Sequence, residues 1–421
     1  MSMPPVRTPA EAAPTLASLD ANLLHKVREG AQALTDFVVT TRRDLHAHPE
    51  LGNQEQRTPA AIVAALKDLG FDLEERVGGT GVIATLRGAR GGRTIALRAD
   101  MDALPLNEDT DRPYRSTVPG VMHACGHDGH VAMALGAARL LSELRPHLQG
   151  SVKFLFQPAE ETYGGASEMI ADGCLTNDPV VNAVFGLHLE PLWRGGEVRL
   201  RHGPLMASAD ALRVVVKGKG GHASEPHACI DPVLVAAQII TNLQTLVTRG
   251  FDVKNPVVIT ITYMQAGSAL NIVPEEAVLA GTVRTLDPAV RAEMPERIDH
   301  LVQHTAAALG ASAEVAYVHG SGVVVNHAGF TDFVRQLLRA TRGPNAVVDM
   351  EHAVMGAEDF GLYMEHVPGA FAFLGARPAH QDVFPLHHPR FDFDERVLPV
   401  GVEILASVAL AYLSEERSPR A

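Results

Sequence analysis

The stretch ADALRVVVKGKGGHAS (209–224) alternates apolar and polar residues as a half-exposed strand does, then breaks into glycines around a histidine. Everything before it reads differently. Helical segments at about 22–48 and at TPAAIVAALKDLG (58–70, closed by Gly70) precede the β-branched runs GVIATLRG (81–88) and TIALRAD (94–100). The amphipathic helix VAMALGAARLLSEL (131–144) leads into a strand, SVKFLFQPAEE (151–161), and the helical ASEMIADG leads into another, VNAVFGLHLEP (181–191). Strands alternating with helices predict a mostly parallel sheet with helices on both faces.

After 209 the order changes. A helix (DPVLVAAQIITNLQTLV), two strands (PVVITITYMQAG and EAVLAGTVRTL) and a long helix (VRAEMPERIDHLVQHTAAALG) follow in turn. An alternating sheet with two helices on one side predicts a compact α+β insert. From about 323, TDFVRQLLRATRG and AFAFLGA return to the first style, and the last helix is expected at about 394–415. The chain therefore reads as a flexible leader (1–21) and one α/β domain in two pieces (22–206 and 323–421), interrupted by a smaller domain (207–322).

With 421 residues the chain is too long for one ordinary core. Its formal net charge of −13 argues against a nucleic-acid or anionic-membrane surface, which needs basic patches. No apolar run reaches the roughly 20 residues of a membrane span. Three cysteines (Cys125, Cys174, Cys229) make no disulfide framework, and the N-terminus shows no export signal. The expected location is the cytoplasm.

The chemistry concentrates in VMHACGHDGHVAMA (121–134), three histidines, a cysteine and an aspartate at the mouth of a helix. Such a loop either caps the helix or holds a metal with ligands from elsewhere. Asp100 and Asp102 follow the strand TIALR, Glu160 and Glu161 end SVKFLFQPAEE, His188 ends NAVFGLH, and His387 and His388 lie a loop beyond AFAFLGA. In open α/β sheets sites form beyond the carboxyl ends of the strands, so independent segments bring donors to one edge. Cys125 and His127 can present thiolate and imidazole to the same cation. Thiolate, imidazole and carboxylate together suit zinc, and also manganese, cobalt or nickel. Neighbours on a strand point to opposite sides, so one of Glu160 and Glu161 can bind metal while the other reaches its water.

RADMDALP, MHACGHDGH, QPAEE, GLH, GKGGHAS, ALNIVP, GTVRT, GAEDF and LHHPRFDFDE, in this order from about 40 to 413, resemble the signatures of the metal-dependent aminoacylase, hippurate hydrolase and auxin-conjugate amidohydrolase family. The resemblance implies a catalytic α/β/α domain with an inserted dimerisation or lid domain, a four-stranded sheet with two helices. It implies hydrolysis of N-acyl amino acids by two divalent ions per subunit, Zn2+ or Mn2+ with Co2+ or Ni2+ as further candidates, in a homodimer or higher oligomer. Carried over by position, Cys125 resembles the bridging ligand, with His127, Glu161, His188 and His387 completing two metal sites. Glu160 resembles the general base and acid, and His222 the histidine that polarises the substrate carbonyl. Asn271 resembles a residue that closes on the substrate, and Arg284 is a candidate for its carboxylate. Ser224 and Glu225 depart from the small apolar residues of many relatives, which leaves the pocket shape open.

Several residues have plainer readings. Asp128 suits a helix N-cap, or a partner orienting His127. Asp100 and Asp102 are turn formers or supports for the ligands. His123 and His130 read as structural or hydrogen-bonding residues, and Cys174 and Cys229 as small buried hydrophobes. Two rival functions stay open at this point: a thiol hydrolase with Cys125 as nucleophile, and a non-catalytic metal-binding relative.

Overall fold

The computed structural model describes residues 20–162, 164–379 and 382–414, so the expected leader (1–21) lies outside the described residues but for Asp20 and Ala21, which cap and open the first helix. The chain forms two compact units. Unit 1 comprises residues up to Gly203, Val325–His352 and the chain from Asp359; unit 2 comprises Pro204–Val324 and a return segment, Ala353–Glu358. The sequence pattern predicts one excursion into the insert, and the structure adds a second. The return segment carries none of the periodicity from which the other elements were read.

Unit 1 is built on an eight-stranded sheet whose four central neighbours, Gln149–Gln157, Arg90–Asp100, Ala183–Glu190 and Gly369–Gly375, all run parallel. Asp72–Val77 and Gly81–Arg87 continue the sheet antiparallel on one side. The central strands are buried almost end to end, as strands covered on both faces must be. Val152, Phe154 and Phe156 join one core with Leu135 and Leu141 of the helix His127–Glu143 and Val402 and Leu405 of the helix Leu398–Leu413. Lys153, on the alternate face, reaches the carbonyls of Cys174 and Asn177 just past the helix Gly165–Ala171. Opposite pleats of one strand thus meet different layers.

The expected first helix is two helices, Ala21–Ala33 and Thr35–Ala47, meeting at Leu34. Glu395–Leu413 is apolar enough to pass for a membrane span, with mean hydropathy 1.7, but 89% of it is buried inside the protein and it serves as a core helix.

Unit 2 has a four-stranded antiparallel sheet in the order Val257–Ala266, Glu276–Thr285, Ala209–Lys217, Ser312–Ser321. The helices Pro232–Arg249 and Pro288–Ala308 pack on it through Val235, Ile239, Leu243, Met294, Ile298 and Val302. Both helices start with an aspartate whose carboxylate accepts the N–H two residues on, followed by proline where the N–H has no partner to lose. A separate two-stranded ribbon, Gly221–His222 with Ile272–Val273, carries the GGHAS motif.

Candidate active site

Each of the four parallel central strands of unit 1 delivers donors at or beyond its carboxyl end: Glu160 and Glu161, Asp100 and Asp102, His188 in the last three residues of its strand, and His387. Between them lies the start of the helix His127–Glu143, whose N-cap is Gly126. Gly126 has φ 87, left-handed backbone that glycine adopts at little cost. On either side of it Cys125 and His127 join His188 in one group, with one donor atom from each within 4.8 Å of the others. Cys125 also belongs to a second group of the same span, with Glu161 and His387. A third contains His127, Glu160 and Glu161.

The hydrogen bonds around the imidazoles decide which nitrogens face the centre. His188 donates Nδ1–H to the Leu189 carbonyl at 2.7 Å, which leaves the lone pair of Nε2 on the side of Cys125 Sγ, 3.5 Å away. Burial, followed by the neighbouring His130, holds His188 well below the usual histidine range, so its ring stays neutral. His127 donates Nδ1–H to the Asp102 carbonyl at 2.9 Å, with Asp102 Oδ1 at 3.3 Å. Its Nε2 is buried without a hydrogen bond, 3.6 Å from Asp100 Oδ2. A buried imidazole nitrogen with no partner is costly unless something fills the place in front of it. Burial would lower the His127 pKa, but Asp100 and then Asp102 outweigh it and push it up to about 10.

The acidic residues are fixed in turn. Asp102 Oδ2 accepts the main-chain N–H of Glu161 at 3.0 Å, so one aspartate holds both His127 and Glu161. Asp100 Oδ1 takes the Nδ1–H of His130 at 2.5 Å, and Arg98 pairs with its other oxygen. His130 Nε2 accepts the N–H of Leu189 at 2.9 Å, which steadies the strand end bearing His188. His387 has φ 63, donates its main-chain N–H to Ala124 at 2.8 Å and places Nε2 3.2 Å from Glu161 Oε1. His388 turns away, stacked on Phe384.

Two expectations need correction. The strand before Glu160 ends at Gln157, so pleat alternation does not separate the two glutamates. Ala159 instead takes φ 52, a left-handed turn that costs a non-glycine residue about 1–2 kcal/mol. The Glu55 carboxylate accepts its N–H at 3.1 Å, and past this kink both carboxylates converge with His127. Asp128 is neither the N-cap nor the partner of His127. It lies in the first turn, where it accepts from Arg42 and His46, each at 2.8 Å. Arg284, the candidate for the substrate carboxylate, spends one N–H group within unit 2, where it donates Nη1–H to the Met355 carbonyl at 3.1 Å.

Other supports escaped the sequence reading. The buried guanidinium of Arg42 also pairs with Asp392 and Glu395, far apart in the chain. Arg98 joins Gln157 and Asp359, and Asp359 accepts the N–H of Ala166. No local pattern marks such residues, because their partners come from distant segments. His123 is buried with neither nitrogen hydrogen-bonded among the described residues, and burial lowers its pKa to about 4. On unit 2 the ribbon sets His222 opposite Ile272, and Asn271 accepts the N–H of Ala223 at 3.1 Å.

The fit to metal is good on the chain's own terms. Thiol, imidazole and carboxylate donors converge, His127 has a buried unpartnered nitrogen, and Cys125 is common to two groups. Fold and site define a metal-dependent hydrolase. Comparison with known proteins names the family. The profile of Peptidase family M20/M25/M40 matches residues 96–411. The putative amidohydrolase YhaA of Bacillus subtilis is 42% identical, covering 93% of this chain and 98% of its own. The N-acetylcysteine deacetylase of the same organism is 40% identical, covering 89% and 97%. A solved structure, the YXEP protein of Bacillus subtilis, a dinuclear metal binding peptidase from the M20 family, matches with TM-score 0.79 at 37% identity over 91% of this chain and 99% of that one. The chain belongs to Peptidase family M20/M25/M40.

Proposed function

We propose that this protein hydrolyses the amide bond of N-acyl amino acids to a carboxylic acid and a free amino acid. The observation that carries the reading is the sharing of Cys125 between two donor groups, with the carboxylate of Glu160 beside them. Cys125, His127 and His188 would hold one divalent ion, and Cys125, Glu161 and His387 the other, with Asp100 and Asp102 fixing the ligands. When bound, such ions polarise the acyl carbonyl and lower the pKa of the attacking water.

The remaining steps belong to the chain. Glu160 takes a proton from the attacking water on its carboxylate and returns it to the departing nitrogen of the amino acid. His222 donates a hydrogen bond to the oxyanion that develops on the carbonyl oxygen; losing one such donor typically costs about 10²–10³ in turnover. Asn271 closes on the substrate. Arg284 engages its carboxylate with the N–H groups not spent on Met355. Glu160 favours this reading over a thiol hydrolase or a pure binding protein, because neither has work for a base beside the donor groups. The relative that deacetylates N-acetylcysteine supports an N-acyl amino acid as substrate.

Val257–Ala266 is an edge strand of the unit 2 sheet with Tyr263 and Met264 exposed, which suits pairing with a second copy. The three cysteines are free, as in a reducing cytoplasm. The function is tested by assaying N-acetyl, N-benzoyl and indoleacetyl amino acids and dipeptides with zinc, manganese, cobalt and nickel supplied in turn. Turnover of an N-acyl amino acid that chelator abolishes and metal restores is the expected result. Turnover of dipeptides alone, or turnover indifferent to chelator, would overturn it.

A further inference from the structure

We propose that Ser224 is a positioning residue that fixes the tautomer of His222, so that the outer nitrogen, Nε2, meets the substrate as a hydrogen-bond donor. The inference rests on the role of His222 given above.

His222 closes the two-residue strand Gly221–His222, paired with Ile272–Val273, and the next residue is tied by Ala223 N–H to the Asn271 carbonyl. The chain then turns back at once, with Glu225 N–H on the His222 carbonyl at 2.9 Å. This turn sets Ser224 against the ring. Its main-chain N–H lies 3.1 Å from His222 Nδ1 and its Oγ 2.8 Å from the same nitrogen. The approach is built closely: a side chain at Gly220 would come within 2.8 Å of the Val273 carbonyl, and one at Gly221 within 2.5 Å of Cys229 Sγ.

A main-chain N–H only donates. Nδ1 facing it must therefore present its lone pair, and the serine hydroxyl, free to rotate, donates to it as well. Neutral imidazole carries a single N–H, which this arrangement leaves on Nε2. The chemistry requires that tautomer. A carbonyl oxygen gaining negative charge is stabilised by a donor, whereas the other tautomer would set a lone pair against it. Ser224 thus acts through His222 and not on the substrate. An interaction realised only as charge develops alters kcat more than KM.

The test uses full-length, metal-loaded protein with 15N-labelled histidine. The His222 nitrogens are observed by long-range proton–nitrogen correlation and assigned by their loss in His222→Gln. The expected wild-type ring carries its proton on Nε2. Ser224→Pro, which removes both the main-chain N–H and the hydroxyl, should admit the Nδ1–H form and lower kcat about five-fold, the factor one ordinary hydrogen bond is worth, with KM little changed. Ser224→Ala, which keeps the main-chain N–H, should keep the proton on Nε2. A wild-type proton on Nδ1, or a Ser224→Pro protein with unchanged tautomer and kcat, would overturn the inference. His222→Ala separates the two levels of the argument. If it keeps full turnover, the role of His222 fails; if it collapses turnover while the wild-type ring is Nδ1–H, only the role of Ser224 fails.

Discussion

The carbonyl oxygen of Asp102 accepts the Nδ1–H of His127 at 2.9 Å, and the carboxylate of the same residue accepts the N–H of Glu161 at 3.0 Å. One aspartate thus fixes two candidate ligands, one at the start of the helix His127–Glu143 and one in the turn past the strand Gln149–Gln157. Asp102→Ala removes the carboxylate that holds Glu161 and leaves the main-chain carbonyl on His127; it should weaken metal binding about 10-fold, the lower end of the usual cost of removing such a support, without unfolding the protein. Competition with a chromophoric chelator checks this, and unaltered affinity would show that Glu161 holds its place without the carboxylate.

Glu160→Gln should keep its metal content and lose turnover by at least about 10²-fold, since it removes a proton carrier and leaves the ligands in place. Elemental analysis and a rate measurement on the same preparation separate the two effects. Near-normal turnover would take the base role away from Glu160.

His387→Ala should lose metal, whereas His388→Ala should retain both metal and activity. Only His387 shares a donor group with Cys125 and Glu161; His388 stacks on Phe384. The sequence LHHP offered both histidines, and backbone geometry separates them, because His387 occupies the left-handed position (φ 63) that turns its ring toward Glu161.

Metal uptake should release protons. In the metal-free site His127 is pushed up to about 10, with burial opposing the shift and Asp100 and Asp102 outweighing burial. Below that value the ring is charged, and a cation must displace the proton to reach the Nε2 lone pair. Affinity should consequently be lower near pH 6 than near pH 8, and calorimetry in buffers of different ionisation enthalpy should register proton release. Uptake without protons would remove His127 from the ligand set.

Unit 2 carries its own buried ion pair. Burial raises the pKa of Asp210, but Arg291, with help from Tyr317, outweighs it and holds the carboxylate below its ordinary value. Because the folded value is the lower one, this stabilisation is complete above the unfolded value of about 3.9 and is lost as pH falls through the folded value. Arg291→Ala leaves the buried carboxylate to the Tyr317 hydroxyl and the Gly320 N–H and should cost about 1.5–3 kcal/mol, the range for hydrogen bonds to a charged group, read by urea unfolding at neutral pH. A cost near zero would mean that the pair is solvated.

The residues that the sequence made legible are those whose identity is local. Donors follow strand ends, so Asp100, Glu160, Glu161 and His188 could be placed on one edge of the sheet from periodicity and a topological rule. What escaped depends on atoms brought together from afar. The turn at Ala159 is held by Glu55, more than a hundred residues earlier, and Asp128 is drawn from His127 by Arg42 and His46. Ala353–Glu358 joins unit 2 without apolar periodicity, so nothing in its own composition signalled where it packs.

Metal stoichiometry in Cys125→Ala tests the central claim most directly. Wild-type protein should carry two divalent ions per chain by elemental analysis, and removing the one donor common to both groups should deplete both ions and abolish turnover. A Cys125→Ala protein that keeps two ions per chain and hydrolyses its substrate at the wild-type rate would contradict the account.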